Sequence, residues 1–166
     1  MSVLGELQPN KVFKYFEEIC SIPHGSRNLQ QISDYLVDFA KAHELKYRQD
    51  EDLNVIIWKD GSKGYEASEP VILQGHMDMV AVKEADCDKD MEKEGLDLEI
   101  NGDYISAKGT SLGGDDGIAV AYTLAVLDDE EMAHPPIEAI FTVNEEIGML
   151  GAATIDVSDL KGRLFM

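Results

Sequence analysis

Val71-Ile72-Leu73 is a short, nearly continuous apolar run that leads straight into Gln74-Gly75-His76-Met77-Asp78. A run of that length without alternation suits a strand buried on both faces of a helix-covered sheet. Residues 137–143 have the same character and lead into Asn144-Glu145-Glu146-Ile147-Gly148. Helical patterns surround these two runs. Pro9-Asn10 opens one, with Val12, Phe13, Phe16, Ile19 and Cys20 on a single face and Ser21-Ile22-Pro23 as its stop. A loop over His24-Gly25-Ser26-Arg27-Asn28 precedes a second helix that turns Leu29, Ile32, Leu36, Phe39 and Ala40 inward. Residues 45–49 and 53–59 read as strands, the latter rich in β-branched and aromatic side chains.

Further along, residues 96–100 and 104–107 predict a hairpin around Asn101-Gly102, and Trp58 and Tyr104 are expected to pack on sheets. Gly113-Gly114-Asp115-Asp116-Gly117 opens an Ala-rich helix from Ile118 to about Leu127. Residues 151–155 read as helical or turn-like, and residues 163–166 as the start of one more strand. Strands and helices mix along the whole length, which predicts an α/β fold with a mixed central β-sheet flanked by helices. A chain of 166 residues suits one domain with a real core.

Composition narrows the partners. Thirty-three acidic residues against fourteen basic ones leave a formal charge of −19, a surface that repels nucleic acid and anionic membranes. No apolar run is long enough to span a bilayer, and residues 1–10 lack a secretory signal. Cys20 and Cys87 are widely spaced, which points to reduced thiols in a cytoplasmic protein. Cys20 lies on the apolar helix face and is expected in the core.

The chemistry sits in three polar clusters at strand ends or a helix start, where open α/β sheets bind ligands. His76 and Asp78 lie two apart at a strand end, so their side chains share a face and can touch. Asp115 and Asp116 stand between glycines at a helix start, where one acid suffices as a cap. Glu145 and Glu146 follow a buried strand, and two adjacent carboxylates there suggest divided labour: one binds a metal while its neighbour is a base. Imidazole plus carboxylates suits zinc, cobalt or manganese. Asp86-Cys87-Asp88-Lys89-Asp90 begins like a calcium loop, but Met91 stands where the turn glycine is needed. His24, His43 and His134 have no evident partner in the sequence.

The ordered set Gly75-His76-Met77-Asp78, Gly113-Gly114-Asp115-Asp116-Gly117 and Asn144-Glu145-Glu146-Ile147-Gly148 resembles the M20 zinc peptidases. Ser21-Ile22-Pro23-His24-Gly25-Ser26, Ile32-Ser33-Asp34-Tyr35-Leu36, the charged spacer after Val80 and His134-Pro135-Pro136-Ile137-Glu138 are similar to its aminoacyl-histidine (Xaa-His) dipeptidase branch. The resemblance implies hydrolysis of dipeptides by water activated between two zinc ions. His76 would bind one zinc, Glu146 the other, and Asp115 both. Glu145 would be the general base, and Asp78 would orient His76 without binding metal. The glycine-rich loop departs from the pattern at Gly114 and Asp116, where relatives more often carry Ala and Asn.

The resemblance also implies that residues 1–166 are the N-terminal part of a catalytic domain. Two further ligands are expected beyond them, an Asp or Glu shortly past Met166 and a distant His, together with an inserted lid and dimerisation domain. Each zinc would then find only two protein ligands in this chain. The expectation is a homodimeric parent enzyme and a fragment that alone is inactive, binds metal weakly and self-associates. Two other readings stand beside it: another M20-type hydrolase, such as a tripeptidase or amino-acid deacylase, or a non-catalytic α/β fragment.

Overall fold

A computed structural model describes residues 2–166. Helix α1 (Asn10–Cys20) and helix α2 (Gln30–Ala42) come first, followed by strands β1 (Lys46–Gln49), β2 (Val55–Lys59) and β3 (Val71–His76). The hairpin β4 (Leu98–Asn101) and β5 (Tyr104–Ala107) leads to helix α3 (Gly114–Leu127). Strand β6 (Ile137–Thr142), the short helix α4 (Leu150–Thr154) and strand β7 (Leu164–Phe165) complete the order.

The main sheet runs β1-β2-β6-β3-β7. β2 pairs antiparallel with β1 and β6, whereas β3 pairs parallel with β6 and β7, so the expected mixed sheet is what forms. β6 is the central strand, and all six of its residues are buried. That is why Ile137-Glu138-Ala139-Ile140-Phe141-Thr142 is mostly apolar, with Glu138 and Thr142 its only polar residues.

The strand period of two divides the core. Val55, Ile57, Ala139 and Phe141 join α1, α2 and α3 in the larger cluster, with Val12, Phe16, Ile19, Ile32, Leu36, Val120 and Leu124. Ile56, Ile72 and Ile140 face the other way and form a smaller cluster with the partly buried Trp58, Ile155 and Leu160. The helices therefore cover one face, and the segment after α4 thinly covers the other. Phe141 is fully buried on the thick side, where truncation to Ala costs about 3–5 kcal/mol.

Two expectations need correction. The hairpin turn is Gly102-Asp103, one residue later than expected, because Asn101 pairs with Tyr104. Gly102 takes φ 62°, the positive angle that two-residue hairpin turns require at their first central position. Tyr104 is 77% exposed and packs on no sheet, since β4 and β5 form a separate two-stranded ribbon. Trp58 is half-buried, with the Lys46 ammonium 4.5 Å from its ring centre.

Parallel pairing matters most for the site. His76 lies opposite Thr142, and the Met77 N–H donates to the Thr142 carbonyl at 2.9 Å. β3 and β6 thus release His76-Met77-Asp78 and Asn144-Glu145-Glu146 from the same edge of the sheet. α3 packs on α1 and β3, which brings its acidic start to that edge.

Candidate metal centre

His76 ends β3 and is 7% exposed. Its Nδ1 lies 2.9 Å from the Asp78 backbone carbonyl. A carbonyl only accepts, so Nδ1 carries the hydrogen and Nε2 keeps its lone pair. Nε2 faces Asp115 Oδ1 at 3.1 Å and Glu145 Oε2 at 3.8 Å. A lone pair set against two carboxylates needs a cation among them, a proton or a metal. Burial alone would lower the imidazole pKa, but Asp78 and Asp115 outweigh it and push it up to about 9.

Glu146 completes the cluster. His76, Glu145 and Glu146 each offer a ligand atom, and these atoms all lie within 4.8 Å of one another. Ligand atoms around a tetrahedral zinc are roughly 3.3 Å apart, and the observed 3.1 and 3.8 Å bracket that spacing. The donors of this cluster are one imidazole and two carboxylates, with the Asp115 carboxylate beside the imidazole, a chemistry that suits a divalent metal.

The two aspartates of the glycine-rich loop separate. Asp115 is non-helical (φ −89°, ψ 109°) and its side chain is 89% exposed at the imidazole. Asp116 turns inward, where its Oδ2 accepts the backbone N–H of His76 at 3.2 Å. Burial raises the Asp116 pKa, and the His76 N–H partly opposes this. The two acids therefore serve different parts of His76, Asp116 its backbone N–H and Asp115 its ring, and α3 has no side-chain cap of its own.

Asp78 is 1% exposed. Its Oδ1 is 3.6 Å from His76 Nδ1, so the nearer acceptor for that ring is its own backbone carbonyl. The carboxylate is occupied elsewhere. It accepts the Ser26 hydroxyl at 2.7 Å and the Glu145 and Glu146 backbone N–H groups at 3.0 and 3.4 Å. Burial raises its pKa, but the His76 ring and these donors together hold it below the ordinary carboxylate range.

Ser26 and Asn144 had no place in the sequence-derived site. Asn144 Oδ1 accepts the Arg27 N–H at 2.9 Å, so the loop after Pro23 reaches both strand ends. The legible hints were the place of Ser26 in a polar loop of the family-like motif behind a helix stop and that of Asn144 beside Glu145, and neither gave a role. His24 in that loop is buried, and burial lowers its pKa against smaller opposing effects of Ile22 and Asp78. The residues resembling a calcium loop gather no metal-like cluster; among the described residues the one group of three or more donors is at His76. A cleft of about 1040 Å³ opens beside Ser26, Arg27, Lys83 and Lys89, and its lining includes neither His76 nor Glu145.

Comparison with known proteins puts this geometry in context. No protein-family model matches the chain. Over 152 residues, 92% of its length, it is 41% identical to the cytosol non-specific dipeptidase of Escherichia coli (strain K12). It superposes on the crystal structure of aminoacylhistidine dipeptidase from Vibrio alginolyticus with a TM-score of 0.94 at 39% identity, over 98% of its length. The chain is related to the M20 peptidases.

The match to these M20 relatives is partial on their side. The chain spans about a third of their length, 31% of the Escherichia coli protein and 33% of the Vibrio alginolyticus chain. A tripeptidase structure from Staphylococcus aureus matches 97% of this chain with a TM-score of 0.77 at 23% identity, a likeness of fold. The mixed α/β core thus shares its fold with M20 peptidase domains. No helix among the described residues is long and apolar enough to cross a membrane.

Proposed function

We propose that the chain carries the first half of a dipeptidase active site that hydrolyses Xaa-His-type dipeptides with two zinc ions, cobalt or manganese fitting the same donors. The supporting observation is the convergence of His76, Glu145 and Glu146 within 4.8 Å at the ends of two parallel strands. In this reading His76 would hold one zinc and Glu146 the other, and Asp115 would serve both. When bound, the metals polarise the peptide carbonyl and ease deprotonation of water. Glu145 takes the proton from water as it attacks the carbonyl carbon, then delivers it to the leaving amine nitrogen. Asp78 keeps the imidazole oriented through its backbone carbonyl and holds the Glu145 backbone through its carboxylate.

Residues 1–166 belong in this reading to the N-terminal part of the catalytic domain, with the remaining ligands and an inserted lid and dimerisation domain supplied by further sequence. The sheet supports one element of this. β7 runs parallel to β3 with Phe165 opposite Ile72. Continued in register, it would come level with His76 four residues past Phe165, as His76 lies four residues past Ile72. An acid there would stand beside the imidazole. We also assign the protein to the cytoplasm, in keeping with its two free thiols and the cytosolic relative.

The test is zinc titration by calorimetry on this chain and on a chain extended past Met166, with Glu146→Ala as control. The extended chain should bind two zincs tightly, and the 166-residue chain weakly, with further loss in the variant. Robust dipeptide hydrolysis by the 166-residue chain with added zinc would overturn the division of ligands.

A further inference from the structure

We propose that Ser26 is a positioning residue for the metal centre, holding the backbone of Glu145 and Glu146 in place through the buried Asp78 carboxylate. This rests on the metal reading above and adds a residue that belongs to none of the three ligand-bearing clusters.

A carboxylate has about four lone-pair positions. In Asp78, Oδ1 serves the Glu145 N–H and stands near the His76 ring. Oδ2 serves the Ser26 hydroxyl at 2.7 Å and the Glu146 N–H at 3.4 Å. The Ser26 bond is the shortest of the set. It fixes the carboxylate plane that the two glutamate N–H groups and the imidazole share. Without it, Oδ2 loses its closest donor while the group stays buried, and the carboxylate is free to turn toward whichever donors remain.

Ser26 is itself held from several directions. Its N–H donates to the Met79 carbonyl at 3.1 Å, and the Met79 N–H donates to the His24 carbonyl at 3.1 Å. The next residue, Arg27, donates its N–H to Asn144 Oδ1 at 2.9 Å. The loop over residues 24–27 therefore ties the chain leaving β3 to the chain leaving β6. Asn144 takes φ 53°, a left-handed angle that Asn accepts more readily than most residues. The turn into Glu145 is thus set on one side by Asn144 and on the other by Asp78. Partners one step removed from metal ligands typically change metal affinity about 10- to 100-fold when removed.

The experiment uses the 166-residue chain with zinc alone as probe, in Ser26→Ala and Ser26→Thr forms. Calorimetry gives zinc affinity, thermal melting gives stability, and amide hydrogen exchange follows the Glu145 N–H without metal. Ser26→Ala should bind zinc about tenfold more weakly and exchange the Glu145 amide faster, and Ser26→Thr, which keeps the hydroxyl, should restore both. A merely structural Ser26 would lower the melting temperature in Ser26→Ala and leave affinity and Glu145 exchange unchanged; that result overturns the proposal and spares the metal reading. Absence of zinc uptake by the unsubstituted chain extended past Met166 would sink the metal reading, and this proposal with it.

Discussion

Asp116 Oδ2 accepts the backbone N–H of His76 at 3.2 Å, while Asp115 Oδ1 meets the imidazole of the same residue at 3.1 Å. Neighbours in sequence thus hold the two ends of one histidine. Removing the Asp116 carboxylate leaves a backbone N–H without its partner, which costs about 1–3 kcal/mol. Asp116→Ala should lower the unfolding free energy by about that much in urea titrations, with Asp116→Asn milder because one oxygen remains. Asp115→Ala touches an exposed carboxylate and should leave stability within about 0.5 kcal/mol while weakening zinc uptake. A reversed pattern would make Asp116 the metal-facing acid.

Glu138 repeats the device of a buried carboxylate that gathers successive backbone N–H groups. It is 3% exposed, and its oxygens accept the Lys161 N–H at 3.0 Å and the Gly162 N–H at 2.8 Å. These bonds deliver the chain into β7. Gly162 suits the approach, since a Cβ there would lie 2.9 Å from the Pro70 carbonyl oxygen. Glu138→Ala should destabilise the fold by about 2–3 kcal/mol, in the range for losing bonds to a charged acceptor. Amide exchange should localise the loss to residues 161–166. Uniform loosening of the whole sheet would show that Glu138 does something other than dock β7.

Cys20 is 1% exposed on α1, and burial, aided by Glu17, pushes its thiol pKa up to about 12. The thiolate is the reactive form, so Cys20 should resist alkylation at pH 8 for as long as the fold persists. Cys87 is only partly buried and should react first. Mass spectrometry after brief iodoacetamide treatment should find one modified cysteine in the native chain and two in urea. Rapid labelling of Cys20 without denaturant would mean that α1 opens locally.

The elements that stood out in the sequence are those whose burial is nearly complete on one face or two. β3 and β6 were readable because continuous apolar runs have few alternatives, and α1 and α2 because their apolar stripes recur at helical spacing. Tyr15 was missed on α1 although it is 2% exposed, because a tyrosine is buried as readily as not. The strand-end positions of His76, Glu145 and Glu146 followed from those elements, and the helix-start position of Asp115 from the glycines around it. What holds them was not readable. Ser26 meets Asp78 across 52 positions, and Arg27 meets Asn144 across 117, and no local pattern marks such pairs. The thin cover over Ile56, Ile72 and Ile140 was equally hidden, since burial on two faces does not reveal what lies on each.

β7 leaves an edge that should bring copies of this chain together. Met166 uses both its N–H and its carbonyl toward β3, so the alternating pattern of a strand turns those of Phe165 outward. No strand pairs with that side among the described residues. Leu164, Phe165 and Met166 are 57%, 60% and 65% exposed. An apolar, unpaired edge is a template for another strand. The charge of −19 opposes association at low salt, and salt screens that repulsion without weakening apolar contact. Sedimentation should therefore show mass increasing with protein concentration, and more steeply at high salt. Phe165→Lys places a charge on the edge and should return the chain to monomer. A monomer at every concentration and salt level would mean that the edge is too short, at two residues, to recruit a partner.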